Sequence, residues 1–399
     1  MKKGTRLAVY LLLVTMLLVS ALGCTSTTTS STASITSTTS VTSTSSTIAS
    51  TTKVSTTQTS LTTKTTVTTP STTTAATRVI TDMYGTELTV PATINRIIAT
   101  GPVETQLLYI LAPDKLVGLS SAWNGDPSYI SDEYKDIPII GNSSSGSFNF
   151  EAAIATAPDV VLEGKTKNLA TDREKFGTIP VIGVKAGDDL LTMYEDEIKY
   201  VADLLGVTGE SKEFLTYYQE AMDYVKGIVS GISDADKVRV YYAEGNDGLQ
   251  TDAEGSWHTN LLTFCGGANV AKVEVSNTSQ AVQVSMEQVY AWEAEDSIDM
   301  IIIGRTSQAS TRQTILASEA WQKLECVQQG KVYIRPDNPT SWFDGPPGYG
   351  QILGMYWMVN TLYPEKTNGL DLSAKVKEFY AKFLHYDLTD EQVTKLIAK

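Results

Sequence analysis

From Glu210 to Ile232 the chain runs with few helix breakers. Its apolar residues Phe214, Leu215, Tyr218, Met222, Val225, Ile228 and Val229 recur with the period of an α-helix. A single long helix of this kind divides whatever stands on either side of it. Before it come a hairpin pattern, "RVITDMYGTELTVP", a short apolar run, "RIIATG", and a helical stretch, "PVETQLLYILA". Further runs "KLVGLSS", "IPIIGN", "DVVLEG" and "IPVIGVK" lead to an amphipathic helix from Leu190 to Leu205. After it the alternation restarts with "KVRVYYAEG", the helical "SWHTNLLTFCGG", "SMEQVYAWEAEDSIDMIIIG" and "KVYIRP", and ends in a helical segment from about Ile352. Short apolar strands alternating with helices predict parallel α/β structure. The expected fold is α/β with two lobes, each a central, mostly parallel sheet flanked by helices, bridged by one long helix.

The N-terminus reads as an address. Lys2, Lys3 and Arg6 precede an apolar stretch from Leu7 to Leu22 that ends "SALGC". Small residues just before Cys24 resemble a lipoprotein signal, in which that cysteine is lipidated and becomes the first residue. An uncleaved anchor or an ordinary signal peptide is the alternative, and each puts the rest of the chain outside the cytoplasmic membrane. From Thr25 to about Thr77 nearly every residue is Ser or Thr. Such a segment cannot bury enough apolar surface to offset its chain entropy, so a flexible stalk is expected. The predicted organisation is a signal peptide over 1–23, a stalk over 24–77, an N-terminal lobe over 78–208, the bridging helix over 209–232 and a C-terminal lobe over 233–399.

Lys and Arg number 31 against 45 Asp and Glu, a net charge of -14, which argues against a nucleic-acid partner. Cys265 and Cys326 could pair or stay as buried thiols. His258 and His385 are the only histidines, which excludes a metal cage built from several of them.

The motifs "ITDMYGTELTVP" with "RIIATGP", "IGN" followed by "NFEAAIATAPDVVLEG", "GSWHTNLLTFCGGANVA", "VSMEQVYAW", "GKVYIRP" and "LGMYWMVNTLYPE" occur in order over nearly all of Arg78 to Lys399. Together they resemble the solute-binding proteins of ABC importers, in the class whose lobes are bridged by a single helix and which take up iron chelates, haem and corrinoids. The resemblance implies a monomeric receptor tethered to the outer face of the membrane through lipidated Cys24. Its partners would be a permease dimer with ATPase subunits, its ligand a small-molecule metal chelate, and it would have no cofactor of its own.

The phrase "NFEAAIATAPDVVLEG" is echoed by "SMEQVYAWEAEDSIDMIIIG", each with a Glu near the start of a helix. In the family, such an acid on each lobe docks on permease arginines, which assigns that role to Glu151 and Glu287. From the residues alone, each is equally an acid stabilising a helix N-terminus behind Asn149 or Ser285.

Ligands of two-lobed α/β proteins sit at the carboxyl ends of the strands. Those ends are expected to carry Trp123, Asn142, Ser143, Ser144, Ser145 and Lys165 in the first lobe. The second lobe adds Tyr242, Glu244, Trp257, His258, Arg305 and Trp342. Three tryptophans in loops suggest a flat ligand, a metal chelate or corrin ring. His258 could ligate a metal or simply hydrogen-bond. A small oxyanion such as molybdate, held by the serine-rich loop and Arg305, is the alternative cargo. An enzyme is not expected, because no nucleophile elbow, zinc-protease motif or phosphate loop occurs.

Overall fold

The computed structural model describes residues 76–398, apart from 124–125, 186–193, 275–280, 305–307 and 345–347. The first lobe opens with an antiparallel hairpin, β1 (Thr77–Thr81) and β2 (Glu87–Pro91), in which Thr77 pairs with Pro91 and Thr81 with Glu87. Then follow β3 (Ile97–Ala99), α1 (Pro102–Leu111), α2 (Asp132–Lys135), α3 (Phe150–Ala155), β4 (Val160–Glu163), α4 (Leu169–Phe176), β5 (Val181–Gly183) and α5 (Tyr194–Leu205). Strands β3, β4 and β5 form a parallel sheet in that order. The runs "KLVGLSS" and "IPIIGN" contribute only isolated bridges, Ile97 with Leu116 and Leu119 with Ile139.

Helix α6 (Thr208–Val229) is the bridge, 22 residues long. The second lobe comprises β6 (Arg239–Ala243), β7 (Gln250–Thr251), α7 (Asn260–Phe264), β8 (Ala268–Asn269), β9 (Val282–Gln283), α8 (Met286–Glu295), β10 (Met300–Ile303), α9 (Gln308–Ala317), α10 (Glu325–Gln328) and β11 (Val332–Ile334). The chain closes with α11 (Gln351–Leu362), α12 (Leu372–Phe383) and α13 (Asp390–Ile397). The second sheet is parallel with order β11-β10-β6-β8. The helix expected over "SWHTNLLTFCGG" shrinks to α7: Ser256 to Thr259 form turns before it, and Gly266, with a left-handed φ of 84°, follows its end.

The strands are buried on both faces, so they read as continuous apolar runs, yet their alternation still sorts the core. Ile97, Ala99, Val160, Leu162, Val240, Tyr242, Met300 and Ile302 all point into one cluster. Their neighbours Ile98 and Val161 feed a separate cluster behind the first sheet. Tyr241, Ala243, Ile301 and Ile303 feed another behind the second. The inner faces of both sheets therefore belong to one continuous apolar core, which also takes the buried face of α6: Phe214, Tyr217, Tyr218, Ala221, Met222 and Val225.

The C-terminal helices return to the first lobe. The Tyr109 hydroxyl donates to Leu384 O at 2.8 Å, and Gln392 Nε2 donates to Ser128 O at 3.3 Å. On the bridge, Phe214 and Tyr217 pack against Phe383 at ring distances of 5.0 and 5.4 Å. Two lobes welded in this way by a shared core and a returning tail favour small relative motion over wide opening.

Cys265 and Cys326 are free thiols, both buried. Burial pushes both up, Cys326 to about 12. Cys24 lies outside the described residues. Among those described, no helix is long and apolar enough to cross a membrane.

Candidate functional site

The carboxyl ends of the first sheet are tied together by one acid. Glu163 closes β4, is fully buried, and accepts the Thr100 hydroxyl at 2.6 Å and the Lys165 backbone N–H. Asp172 on α4 is 4% exposed. Burial, then hydrogen bonding to and repulsion by Glu163, push its carboxyl up to about 7, while Lys175 pulls the other way. Below neutral pH Asp172 therefore holds a proton beside Glu163. The Lys165 side chain stands exposed above it.

The serine loop follows Gly141, whose φ is 87° and whose Cβ, if it had one, would lie 2.1 Å from Ser147 O. Asn142 organises the loop: its Oδ1 accepts Ser144 N–H at 2.8 Å, and its carbonyl accepts Ser147 N–H at 3.1 Å. Ser144 and Ser145 are exposed. Ser143 donates its N–H to Thr100 O at 2.9 Å, next to Gly101, where α1 begins. The Ser143 hydroxyl is buried with no hydrogen-bond partner among the described residues. The first turn of α1 carries no side-chain cap. Glu104, in that first turn and 3% exposed, already sets a carboxylate beside Gly101, where a Cβ would lie 2.4 Å from its Oε2.

The second lobe's strand ends are acidic and buried. Glu244 follows β6 and accepts the Tyr242 hydroxyl at 2.8 Å. His258 is 1% exposed, and its Nδ1 lies 3.6 Å from Asp252, 3.9 Å from Glu244 and 3.9 Å from Asp344. Arg335, directly after β11, pairs with Asp344 at 2.8 Å and with Asp337 at 3.4 Å. The donor atoms of Glu244, His258 and Asp344 lie within 4.8 Å of one another, a set that suits positive charge, whether a proton on the imidazole or a bound cation. Arg305, beyond the end of β10, lies outside the described residues.

The tryptophans part company. Trp342 is 1% exposed and donates its Nε1 to Asn338 O at 3.2 Å, so it is a core residue. Tyr242 is likewise fully buried. Trp123 is half-buried against Tyr109, with ring centroids 4.7 Å apart. Trp257, like Trp123 partly exposed, lies beside the acidic cluster, 3.6 Å from the His258 ring.

Glu151 and Glu287 are both exposed in first turns. Asn149 Oδ1 caps α3 by accepting Ala152 N–H at 3.0 Å. Ser285 and Gln288 form a reciprocal capping box on α8. Local hydrogen bonds to its own backbone N–H and to Ser285 hold the Glu287 carboxyl below its ordinary value. Among the described residues neither Glu makes an ion pair.

Sequence reading missed Glu163, Asp172, Asp252, Arg335 and Asp344. Two had a visible signal: a charged residue closing an apolar run in "DVVLEG" and following one in "KVYIRP". The others approach through tertiary folding alone.

A sequence model of the periplasmic binding protein family matches residues 97–339. The chain belongs to this family. It is an ABC solute-binding protein of the class in which a single helix joins two lobes. The family implies an extracytoplasmic location, and its members bind substrates rather than transform them. The chain is 25% identical over 333 residues to the molybdate-binding protein MolA of Haemophilus influenzae, covering 77% of this chain and 91% of that one. An ABC transporter solute-binding protein from Sulfurospirillum deleyianum superposes with a TM-score of 0.70 at 27% identity, over 80% of this chain and 98% of the other. Helicobacter pylori CeuE in its Ni-His complex shares the fold, with a TM-score of 0.58 at 19% identity over 81% of this chain and 100% of that one.

Proposed function

We propose that this chain is the lipid-anchored receptor of an ABC importer whose cargo is a small metal oxyanion of the molybdate or tungstate class. The observation that carries this reading is the fate of the aromatic residues. Trp342 is spent in the core and Trp123 against Tyr109, which removes the broad platform a corrin or haem ring would need. What the first lobe offers instead is donors of anion size: the buried Ser143 hydroxyl and the Asn142–Ser147 turn. The MolA relative, named for molybdate, supports the same class.

A flat or metal-containing chelate is the second reading. Trp257, partly exposed over His258 and its three carboxylates, favours it. Glu151 and Glu287 are the docking acids in either case, and Cys24 the lipidated anchor.

Calorimetric titration of the protein with molybdate, tungstate, sulfate, cobinamide, haem and a ferric hydroxamate separates the two readings. Saturable binding of molybdate or tungstate, with the chelates silent, is the expected result. Binding of a chelate with the oxyanions silent overturns the oxyanion reading and returns the site to Trp257 and His258.

A further inference from the structure

Immediately before α11 the second half of the chain meets the first lobe. Tyr349 is its contact. The Tyr349 backbone N–H donates to Gln106 Oε1 on α1 at 3.1 Å, and its hydroxyl donates to Glu197 Oε2 on α5 at 3.2 Å. Its ring packs on Phe214 of the bridge at 5.5 Å. Gly348 comes so close to Gln106 that a Cβ there would lie 2.1 Å from Oε1, so the approach is fixed by the backbone.

Glu197 is unusual among these groups. It is fully buried, and its second oxygen, Oε1, has no hydrogen-bond partner among the described residues. Glu104 on α1, 3% exposed, faces it with a second carboxyl group. Tyr349 and Glu104 are the titratable groups that face it from other elements. Glu195 and Asp196 on its own helix are exposed. A carboxylate here would be stripped of water on one oxygen and set beside a like charge.

We propose that Glu197, Tyr349 and Gln106 form a proton-dependent clamp between the two halves of the molecule, closed while Glu197 is neutral and loosened when it ionises. Burial first, and Glu104 second, raise the Glu197 carboxyl well above its ordinary range, while the Tyr349 hydroxyl works the other way. The sign follows. The clamped state binds the proton more tightly than an open, hydrated one. Clamping is therefore complete below the ordinary carboxylate range and weakens by up to tenfold per pH unit as pH rises toward the raised value. The clamp lies five residues from Asp344, which Arg335 holds in the second lobe's acidic cluster. Its release loosens the start of α11 from the first lobe, and bound cargo leaves faster.

Hydrogen–deuterium exchange on the full-length chain in detergent, without cargo, tests this independently of which ligand is carried. The readout is protection of the peptide containing Tyr349, corrected for intrinsic exchange, across pH 5 to 8. In the wild type, protection falls steadily as pH rises. In Glu197→Gln it stays high and flat, because the neutral amide keeps a carbonyl for Tyr349. In Glu104→Gln the fall levels off at lower pH and its total is smaller, because the like charge that raises the clamped-state value is gone. A flat wild-type profile, a Glu197→Gln profile that tracks the wild type, or an unmoved Glu104→Gln profile overturns the clamp. The Glu104→Gln arm stands even if Glu197→Gln fails to fold.

Discussion

Replacing Asp172 by Asn should abolish a defined part of the dependence of stability on pH. Asp172 is 4% exposed, and its carboxyl is pushed up to about 7 by burial and by Glu163. In the unfolded chain it returns to an ordinary value near 4. The folded state therefore binds this proton more tightly, and the stabilisation it brings is fully present below about pH 4 and lost as pH rises toward 7. At about 1.4 kcal/mol per pH unit, that window is worth on the order of 4 kcal/mol. Asparagine keeps the shape and can donate an N–H to Glu163 but does not titrate. Urea unfolding of the wild type and of Asp172→Asn, at intervals from pH 4 to pH 8, isolates the effect. The difference between the two unfolding free energies cancels the slopes of other carboxylates, Glu197 among them. It should shift by a few kcal/mol in favour of the variant on going from pH 4 to pH 8. A difference that stays constant across this range would refute the reasoning, because it would mean that Asp172 ionises alike in both states.

Ser143→Ala should weaken oxyanion binding by about ten- to a hundredfold while leaving the unfolding midpoint nearly unchanged, since one hydrogen bond to an anion is worth roughly 1.5–3 kcal/mol; calorimetry and thermal unfolding together check it, and unchanged affinity would remove Ser143 from the site. Trp342→Ala should cost about 3–5 kcal/mol of stability, as a buried tryptophan does; a variant of near-normal stability that has lost affinity would move Trp342 from the core to the cleft wall. Glu151→Ala with Glu287→Ala should abolish uptake into cells at unchanged cargo affinity, and the wild-type receptor should associate with its permease more slowly as salt rises; uptake that survives the double substitution would leave both only as first-turn acids that favour a helix N-terminus.

The two lobes and the helix between them were legible because each rests on local signals. The apolar stripe of α6 has the helical period, and the strands are short apolar runs closed by turns or a charge. What the sequence could not convey is where a strand's two faces go. Val160 and Val161 are adjacent and alike, yet one enters the core shared by both lobes and the other a core behind the first sheet. The same ambiguity governed the tryptophans. In the sequence, Trp123, Trp257 and Trp342 are equivalent loop aromatics, and only packing reveals that Trp342 fills the shared core. Buried charge was the least legible of all. Glu163 and Asp172 are nine positions apart, and Glu197 and Tyr349 stand 152 apart. Nothing local predicts that such pairs meet away from water, because a solvated acid and a buried one are written with the same letter. These pairs meet where elements from different parts of the chain converge: β4 against α4, and α5 against the segment before α11. Such junctions are where burial and a neighbouring charge act on a carboxyl together, and they are the places at which this receptor's stability and lobe geometry become sensitive to protons.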